Sequence, residues 1–115
     1  MKMVFVVIQF HSNGGKMMDG RKYDHDKPKW HLLPFREVEE IVKVLTFGAE
    51  KYEEENWKRV TDARKRYFSA ILRHLVAWWN GEREDSESKY SHLAHAGCCI
   101  LFLMWFDNQR GNDDK

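Results

Sequence analysis

Two stretches of this 115-residue sequence are apolar at nearly every position. They run from Tyr67 to Trp79 and from Leu93 to Phe106. A helix with apolar residues all round is buried on more than one side, yet a chain of this length forms one domain with a modest core. We therefore predict an all-α helical bundle with three main helices per chain, completed by oligomerisation as a homodimer or tetramer.

The first predicted helix covers residues 34–54 and begins at a proline, which is favoured in the first helical turn. Its apolar residues recur at the spacing of one helix face. The predicted core stripe contains Val38, Ile41, Val42, Leu45, Ala49 and Tyr52. Glu40, Lys51 and Glu54 fall on the opposite side, which by default is solvent-exposed. Phe47 lies at the centre of that side, which indicates that something covers it.

Capping residues mark the other two helices. The candidate N-caps are Thr61 or Asp62 for the second helix and Ser86 or Ser88 for the third. The second helix is predicted to run to Asn80, where Gly81 ends it, and the third to about Asn108.

The remaining segments divide the chain into a leader, one domain and a tail. Residues 3–10 favour a strand by composition, but a lone strand has nothing to pair with, so we interpret residues 1–19 as a flexible leader. The domain is predicted to span residues 20–110 and to open with an extended arm over residues 20–33. Residues 111–115 are polar and are expected to form a frayed tail.

Charge and hydropathy argue against a nucleic acid polymer or a membrane as partner. The formal net charge is +1 with both signs mixed, whereas nucleic-acid-binding proteins usually carry a basic excess. The apolar stretch from Leu93 to Phe106 contains a histidine and is shorter than the roughly 18 residues of a membrane span. Cys98 and Cys99 are neighbours on a predicted helix, which disfavours a disulfide, so we interpret both as reduced core residues of a cytoplasmic protein.

His92 and His95 are the first candidates for chemistry, because residues three apart share a helix face. The alternative is structural, with hydrogen bonds inside the bundle satisfying both rings. The loop just before them is acidic, and carboxylate oxygens are natural ligands for Mg²⁺ or Mn²⁺. Its acidic residues are Glu82, Glu84, Asp85 and Glu87. The alternative here is a solvated turn whose charges favour the positive end of the third helix.

Two further groups of residues are candidates for binding phosphate or a nucleotide. Arg73 and His74 lie in the apolar second helix, where an unpaired charge is costly. A phosphate, an acidic metal shell or a structural salt bridge would each supply a partner. The arm carries two lysines, an aromatic ring and an acid, which could hold a nucleotide or form an ordinary loop. These arm residues are Lys22, Tyr23, Asp24 and Lys27.

Several short motifs occur in one order along the chain. They are Lys22-Tyr-Asp-x-x-Lys27, Leu32-Leu-Pro34, Val44-Leu-Thr-Phe-Gly-Ala49-x-Lys51-Tyr52, Asn56-Trp57, Arg73-His74-Leu-x-Ala-Trp78, Gly81-Glu82-x-x-Asp85-x-Glu87-Ser88 and His92-Leu-Ala-His95-Ala96. Together they resemble the phage and bacterial dATP/dGTP diphosphohydrolases, which are MazG-like all-α NTP pyrophosphatases with a phage branch of the MazZ type. The resemblance covers about residues 22–103.

The resemblance implies a paired helical bundle that uses Mg²⁺ or Mn²⁺ to hydrolyse a purine deoxynucleoside triphosphate, dGTP or dATP, to its monophosphate and pyrophosphate. It places the protein in the cytoplasm of a bacterium or a phage-infected host. The implied metal ligands are Glu40, Asp85, Glu87 and His95, and the implied catalytic residues are these four with Lys51 and His92. The implied substrate-binding residues are Lys22, Tyr23, Asp24, Lys27, Asn56, Trp57, Arg73 and His74.

The sequence departs from the family pattern in its metal ligands and in one loop residue. Members of the superfamily supply ligands as Glu-x-x-Glu on one helix and Glu-x-x-Asp on another, but the second position here reads His92-x-x-His95. Imidazole suits Mn²⁺ or Co²⁺ better than Mg²⁺, so the histidines indicate either a softer metal or a role as proton carriers. Both Glu37-x-x-Glu40 and Glu50-x-x-Glu53 keep the first spacing, and we favour Glu40. Lys89 stands where the family usually has glycine.

Two other functions stay open on the same sequence. One is a catalytically silent helical bundle that serves as an interaction module. The other is a metal-dependent phosphohydrolase of the His/Asp type, suggested by the histidines, which would release the whole triphosphate or successive phosphates.

Overall fold

A computed structural model describes residues 20–113, with side chains as far as residue 110. The chain divides into two compact units at the junction between Trp30 and His31. The three α-helices of the described residues belong to the second unit. The predicted leader over residues 1–19, with its strand-like segment at 3–10, lies outside the described residues, as do the side chains of the predicted tail.

In the first unit, residues 20–30 are described and their side chains are all exposed. The backbone N–H of Lys27 donates to the carbonyl oxygen of Asp24 at 3.0 Å, which closes a turn. A short 3₁₀ helix then covers Trp30–Leu32. The predicted arm is therefore not extended throughout, because a turn and a 3₁₀ helix interrupt it.

The second unit is helical. Helix α1 spans Phe35–Lys51, α2 spans Ala63–Trp79 and α3 spans His92–Asp113. A 3₁₀ helix covers Asn56–Arg59 between α1 and α2. Residues 20–113 contain no β-strand beyond an isolated bridge, so the predicted all-α fold is confirmed. No helix within this range is long and apolar enough to cross a membrane.

Local backbone geometry determines where α1 and α2 end. Helix α1 ends at Lys51 rather than at residue 54, because the chain adopts positive φ at Glu53 (126°) and Glu55 (63°). Helix α2 stops just before Gly81 as predicted, and the φ of 102° at this glycine suits a residue without a β-carbon. The N–H groups of residues 81 and 82 donate to the carbonyls of residues 78 and 77 at 3.0 Å each, which is the Schellman pattern.

The predicted N-cap of α3 is wrong. The loop before α3 continues past Ser86 and Ser88, and the Ser91 hydroxyl oxygen instead accepts a hydrogen bond from the Leu93 N–H at 3.0 Å. Asp62 occupies the N-cap position of α2 as predicted, but its φ of 54° is left-handed and its side chain makes no capping hydrogen bond.

The core lies between α1 and α3, and α3 also packs along α2. Its buried residues are Val44, Ala94 and Cys98. The side chains packed against them are Ile41, Leu45, Tyr90 and Phe102. Val42 and Tyr52, both predicted core residues, are 49% and 60% exposed. Ile41 and Leu45 of the predicted stripe do pack against this core. The stripe as a whole is centred too far round α1, because α3 covers the side that carries Val44.

Cys98 and Cys99 are free thiols on α3. Burial raises the pKa of Cys98 to about 12 and that of Cys99 to about 11, so both thiols stay protonated near neutral pH. Cys98 is the core residue that the sequence predicted, whereas Cys99 is only partly buried.

Apolar side chains on α2 and α3 remain exposed within one chain. They include Phe68, Leu72, Val76 and Trp79 on α2 and Ile100, Leu101 and Met104 on α3. Trp79 is 79% exposed. The burial on more than one side that was predicted for these helices is therefore not reached within a single chain.

Candidate functional site

A cavity of about 750 Å³ opens in the second unit. Its walls come from α1, the 3₁₀ helix over Asn56–Arg59, α2, the loop before α3, and α3 itself. The predicted site residues that line it are Lys51, Asn56, Trp57, Arg73, His74, Asp85, Glu87 and His95. The fold thus brings together side chains that are spread over residues 51–95 of the sequence.

Glu40 is not among the residues that line this cavity. It is exposed on α1, and its separation from Lys51 corresponds to about 16 Å along a helix axis. Glu37 lies one turn further away on the same helix. Glu53 lines the cavity, but its Oε2 pairs with Arg59 Nη2 at 2.7 Å. The cavity of one chain therefore contains neither carboxylate of the Glu37-x-x-Glu40 motif.

The predicted arm residues lie in the other unit. Lys22, Tyr23, Asp24 and Lys27 belong to the segment that ends at Trp30, and all four are exposed. Their assignment to substrate binding stays a prediction.

The loop between α2 and α3 is organised by Asp85. Its Oδ2 accepts hydrogen bonds from the N–H groups of Glu87 at 3.1 Å and Ser88 at 2.9 Å, and its own N–H donates to the carbonyl of Tyr90 at 2.8 Å. Burial raises the pKa of the Asp85 carboxyl, but the hydrogen bonds from Ser88 and Glu87 and the charge of His95 outweigh it and hold the pKa below its usual value. Asp85 is therefore a carboxylate at neutral pH.

Three imidazole rings form a cluster next to this loop. His74 Nδ1 and His92 Nδ1 are 2.8 Å apart, which is a hydrogen-bond distance. The His74 ring also stacks on the His95 ring, with centroids 4.6 Å apart and an interplanar angle of 11°. His95 Nε2 lies 2.7 Å from Ser88 Oγ. These contacts tie α2, α3 and the loop together.

The environment favours the neutral form of two of these rings. Burial, reinforced by the neighbouring imidazoles, lowers the pKa of His74 to about 4. Burial also lowers the pKa of His95, although Asp85 opposes the shift. A neutral imidazole keeps a nitrogen lone pair, so these rings can accept a proton or bind a metal ion.

Two of the cationic side chains that line the same cavity, Lys51 and Arg73, are predicted site residues. Lys51 Nζ pairs with Glu87 Oε2 at 2.7 Å, and this hydrogen bond raises the pKa of Lys51. Both side chains remain partly exposed, so the pair is open to exchange with another anion. Arg73 lines the cavity and has no ion pair within residues 20–110.

Residues 17–115 match the model of a family described as dATP/dGTP diphosphohydrolase, N-terminal. The chain belongs to this family. A protein of Salmonella phage PMBT28 named dATP/dGTP diphosphohydrolase is 32% identical over 97 residues, which are 84% of this chain and 33% of that protein. The chain thus spans about a third of the length of this curated relative. No solved structure matches the chain.

This member of the dATP/dGTP diphosphohydrolase family uses Trp57 in its own packing. The indole stacks on Phe102 with centroids 4.3 Å apart, and Trp105 contacts it edge-on at 5.2 Å. Lys58 Nζ lies 5.4 Å from the ring centroid, and the Tyr67 hydroxyl donates to the Trp57 carbonyl at 3.2 Å. A base could stack on this indole only by displacing part of that packing.

Sequence reasoning did not predict the histidine contacts of two polar residues, Ser88 and Glu82. The Ser88 hydroxyl contacts His95 and, through its oxygen, accepts the Tyr90 N–H at 3.1 Å. Glu82 Oε1 lies 3.3 Å from His92 Nε2, which is ion-pair distance but not an aligned hydrogen bond. The family motif contains both residues, but only the folded loop shows that each lies against a histidine.

The side of α1 that carries Phe47 is covered by other residues, as the presence of a phenylalanine there predicted. Phe47 packs edge-on against Tyr90 with centroids 6.3 Å apart. Lys51 lies one turn further along the same side and reaches the loop through Glu87. This side of α1 therefore faces the loop that carries Asp85.

Proposed function

We propose that this chain is a metal-dependent nucleotide pyrophosphohydrolase that converts a purine dNTP, dGTP or dATP, to the dNMP and pyrophosphate. The observation that carries the proposal is that Lys51, Arg73, Asp85, Glu87 and the neutral imidazoles of His74 and His95 all line one cavity, in a member of the dATP/dGTP diphosphohydrolase family. The name of the phage relative supports the substrate class.

Lys51 and Arg73 are the proposed ligands of the triphosphate. A triphosphate carries more negative charge than one carboxylate, so it competes with Glu87 for the ammonium group of Lys51. The exchange leaves Glu87 free, two residues from Asp85 in the same loop.

Asp85 and Glu87 are the proposed carboxylate ligands for Mg²⁺ or Mn²⁺. The fit rests on Asp85, which is ionised. Two backbone N–H groups donate to its Oδ2 and hold the side chain in place, and neither of these hydrogen bonds uses Oδ1. Oxygen ligands of this kind suit both ions. When bound, the ion supplies acidification of a water molecule and neutralisation of phosphate charge.

His95 is the proposed proton acceptor for the attacking water. Its ring is neutral near pH 7, and Ser88 Oγ lies 2.7 Å from Nε2, which orients the ring. Attack at the α-phosphorus would break the bond between the α and β phosphates and release pyrophosphate intact.

The test is to incubate the chain with each dNTP and either Mg²⁺ or Mn²⁺ and to resolve the products by chromatography. We expect dGTP or dATP to yield monophosphate and intact pyrophosphate. Orthophosphate or inorganic triphosphate as the first product would contradict the mechanism, and no turnover of any nucleotide would favour the silent interaction module.

Matched variants sharpen this test. Asp85→Asn keeps the size of the side chain but removes its charge, and we expect a loss of about 10²-fold or more in turnover. Asp107→Asn, an exposed position on α3 outside the cavity, is the control. Arg73→Ala should raise KM, with Arg64→Ala on the exposed side of α2 as its control.

We also propose that further copies of the chain cover the exposed apolar side chains of α2 and α3, giving a homodimer or tetramer. Exposed apolar patches on this scale commonly mark contact surfaces. Sedimentation equilibrium should show an oligomer. Leu72→Glu should weaken it, while Lys43→Glu, at an exposed position on α1, should leave it intact. A monomer at micromolar concentration would contradict this proposal.

A further inference from the structure

Three potential metal ligands converge in the second unit from three separate elements. They are His74 on α2, Asp85 in the loop and His92 in the first position of α3. Each offers one ligand atom, and these atoms all lie within 4.8 Å of one another. We propose that these three residues bind a first-row transition-metal ion, Mn²⁺, Co²⁺ or Zn²⁺. Any catalytic use of the ion rests on the function proposed above, but its binding does not.

His92 is the most deeply buried of the three residues. Only 5% of the residue is exposed. Nε2 has no hydrogen-bond partner within the described chain, although Glu82 Oε1 lies 3.3 Å away. A buried polar atom without a partner is costly and uncommon in folded proteins. A small movement of Glu82 would let Nε2–H donate to it, which leaves the lone pair on Nδ1.

A carboxylate next to one ring nitrogen, with the other nitrogen on the ion, is the usual arrangement of a metal-bound histidine. In His92 this arrangement directs Nδ1 toward His74 Nδ1, 2.8 Å away. Two nitrogens on one tetrahedral ion lie about 3.3 Å apart, given bonds of 2.0–2.1 Å. The rings meet nearly head-on, with centroids 5.1 Å apart. To exchange the proton between them for an ion, both rings must therefore tilt so that their lone pairs converge, and the nitrogens must separate by about half an ångström.

Asp85 completes the set with an oxygen. Both of its backbone hydrogen bonds use Oδ2, so Oδ1 is free to coordinate. Two imidazole nitrogens with one carboxylate oxygen suit Mn²⁺, Co²⁺ or Zn²⁺, whereas Mg²⁺ prefers an all-oxygen shell. This set differs from the ligands predicted from the sequence, which grouped Asp85 with Glu40, Glu87 and His95. It also differs from the Asp85 and Glu87 pair proposed above, in which Glu87 is released from Lys51 only when a triphosphate binds.

The first experiment measures binding of Co²⁺ in the absence of nucleotide. The full 115-residue chain is prepared without a histidine tag, stripped with a chelator and titrated with Co²⁺ while visible absorption is recorded. We expect one ion per chain, with His74→Ala and His92→Ala each weakening the affinity by about tenfold or more. His31→Ala is the matched control, because this histidine is exposed and does not line the cavity.

The second experiment needs no variant, so a folding defect in His92→Ala cannot obscure the answer. Histidine ring ¹⁵N spectra of the wild-type chain are recorded before and after addition of Zn²⁺, and we expect coordination shifts at Nδ1 of His74 and His92. Unchanged signals at both rings, a thiolate-to-cobalt charge-transfer band, or equal Co²⁺ affinity in all three variants would overturn the ligand set. Because neither experiment involves turnover, failure of this site and failure of the proposed hydrolysis are separable.

Discussion

Lys89 holds a left-handed backbone conformation, with φ of 68°, in the loop that carries Asp85. Its N–H donates to the Asp85 carbonyl at 2.8 Å, so the conformation is part of the turn. A residue with a β-carbon in this region costs about 1–2 kcal/mol relative to glycine. Replacing the lysine by glycine removes this cost, but about 0.5–1 kcal/mol of the gain is lost again, because glycine loses more conformational entropy on folding. Lys89→Gly should therefore stabilise the chain by about 0.5–1 kcal/mol.

The assay is urea unfolding followed by far-ultraviolet circular dichroism, at fixed protein concentration and with a chelator present. The melting temperature should rise by about 2–8 °C in a parallel thermal scan, since 1 kcal/mol corresponds to about 4–8 °C in a small domain. Lys89→Ala is the matched control: it removes the same exposed side chain but keeps a β-carbon, so it should bring no gain. Equal stability of the two variants would show that backbone strain at residue 89 is not the cause, and a less stable Lys89→Gly would refute the reasoning.

Three further outcomes follow from the same structure. Because the pKa of His74 is lowered to about 4, the unfolded chain takes up a proton at higher pH than the folded chain. The free energy of unfolding should therefore fall as the pH drops from about 6.5 toward 4, by at most about 3 kcal/mol. Urea midpoints that do not change over this pH range, or that fall just as much in His74→Gln, would contradict this. Gly81→Ala should destabilise by about 1 kcal/mol or more, because its φ of 102° disfavours any β-carbon; urea unfolding measures this, and an unchanged midpoint would speak against it. Glu87→Gln should tighten metal-free binding of dGTP by about two- to fivefold, because it frees Lys51; calorimetric titration with Glu84→Gln as control checks this, and weaker binding would argue against competition for the lysine.

Sequence patterns predicted the helices well where the signal was local. Gly81 ends α2 because positive φ is a property of that residue and its neighbours alone. The N-cap of α3 was harder to predict, because the loop contains several serines. The backbone N–H of Ser88 already donates to Asp85, and the helix starts only after Ser91. The core side of α1 could not be chosen from periodicity, because Val42 and Val44 are both apolar and only the position of α3 selects Val44.

The site shows the same division between local and long-range information. His92 and His95 were grouped correctly on one helix, because a spacing of three residues determines that they share a side. Their meeting with His74 depends on how α2 packs against α3, and no pattern within either helix encodes that packing. Glu40 illustrates the opposite error: it shares a side of α1 with Lys51, but three turns along the axis separate them, so angular position alone did not place it in the cavity.

The ion pair between Lys51 and Glu87 connects two roles that the sequence could only treat separately. As the structure stands, the lysine is neutralised by a side chain that the proposed function requires as a metal ligand. The hydrogen bond raises the pKa of Lys51 and so keeps it charged, and the exposure of both partners keeps the pair exchangeable. In the proposed reaction, a triphosphate that takes the lysine necessarily releases the carboxylate beside Asp85. Substrate binding and completion of the metal shell are then one coupled event, because the same contact opposes both until the nucleotide arrives.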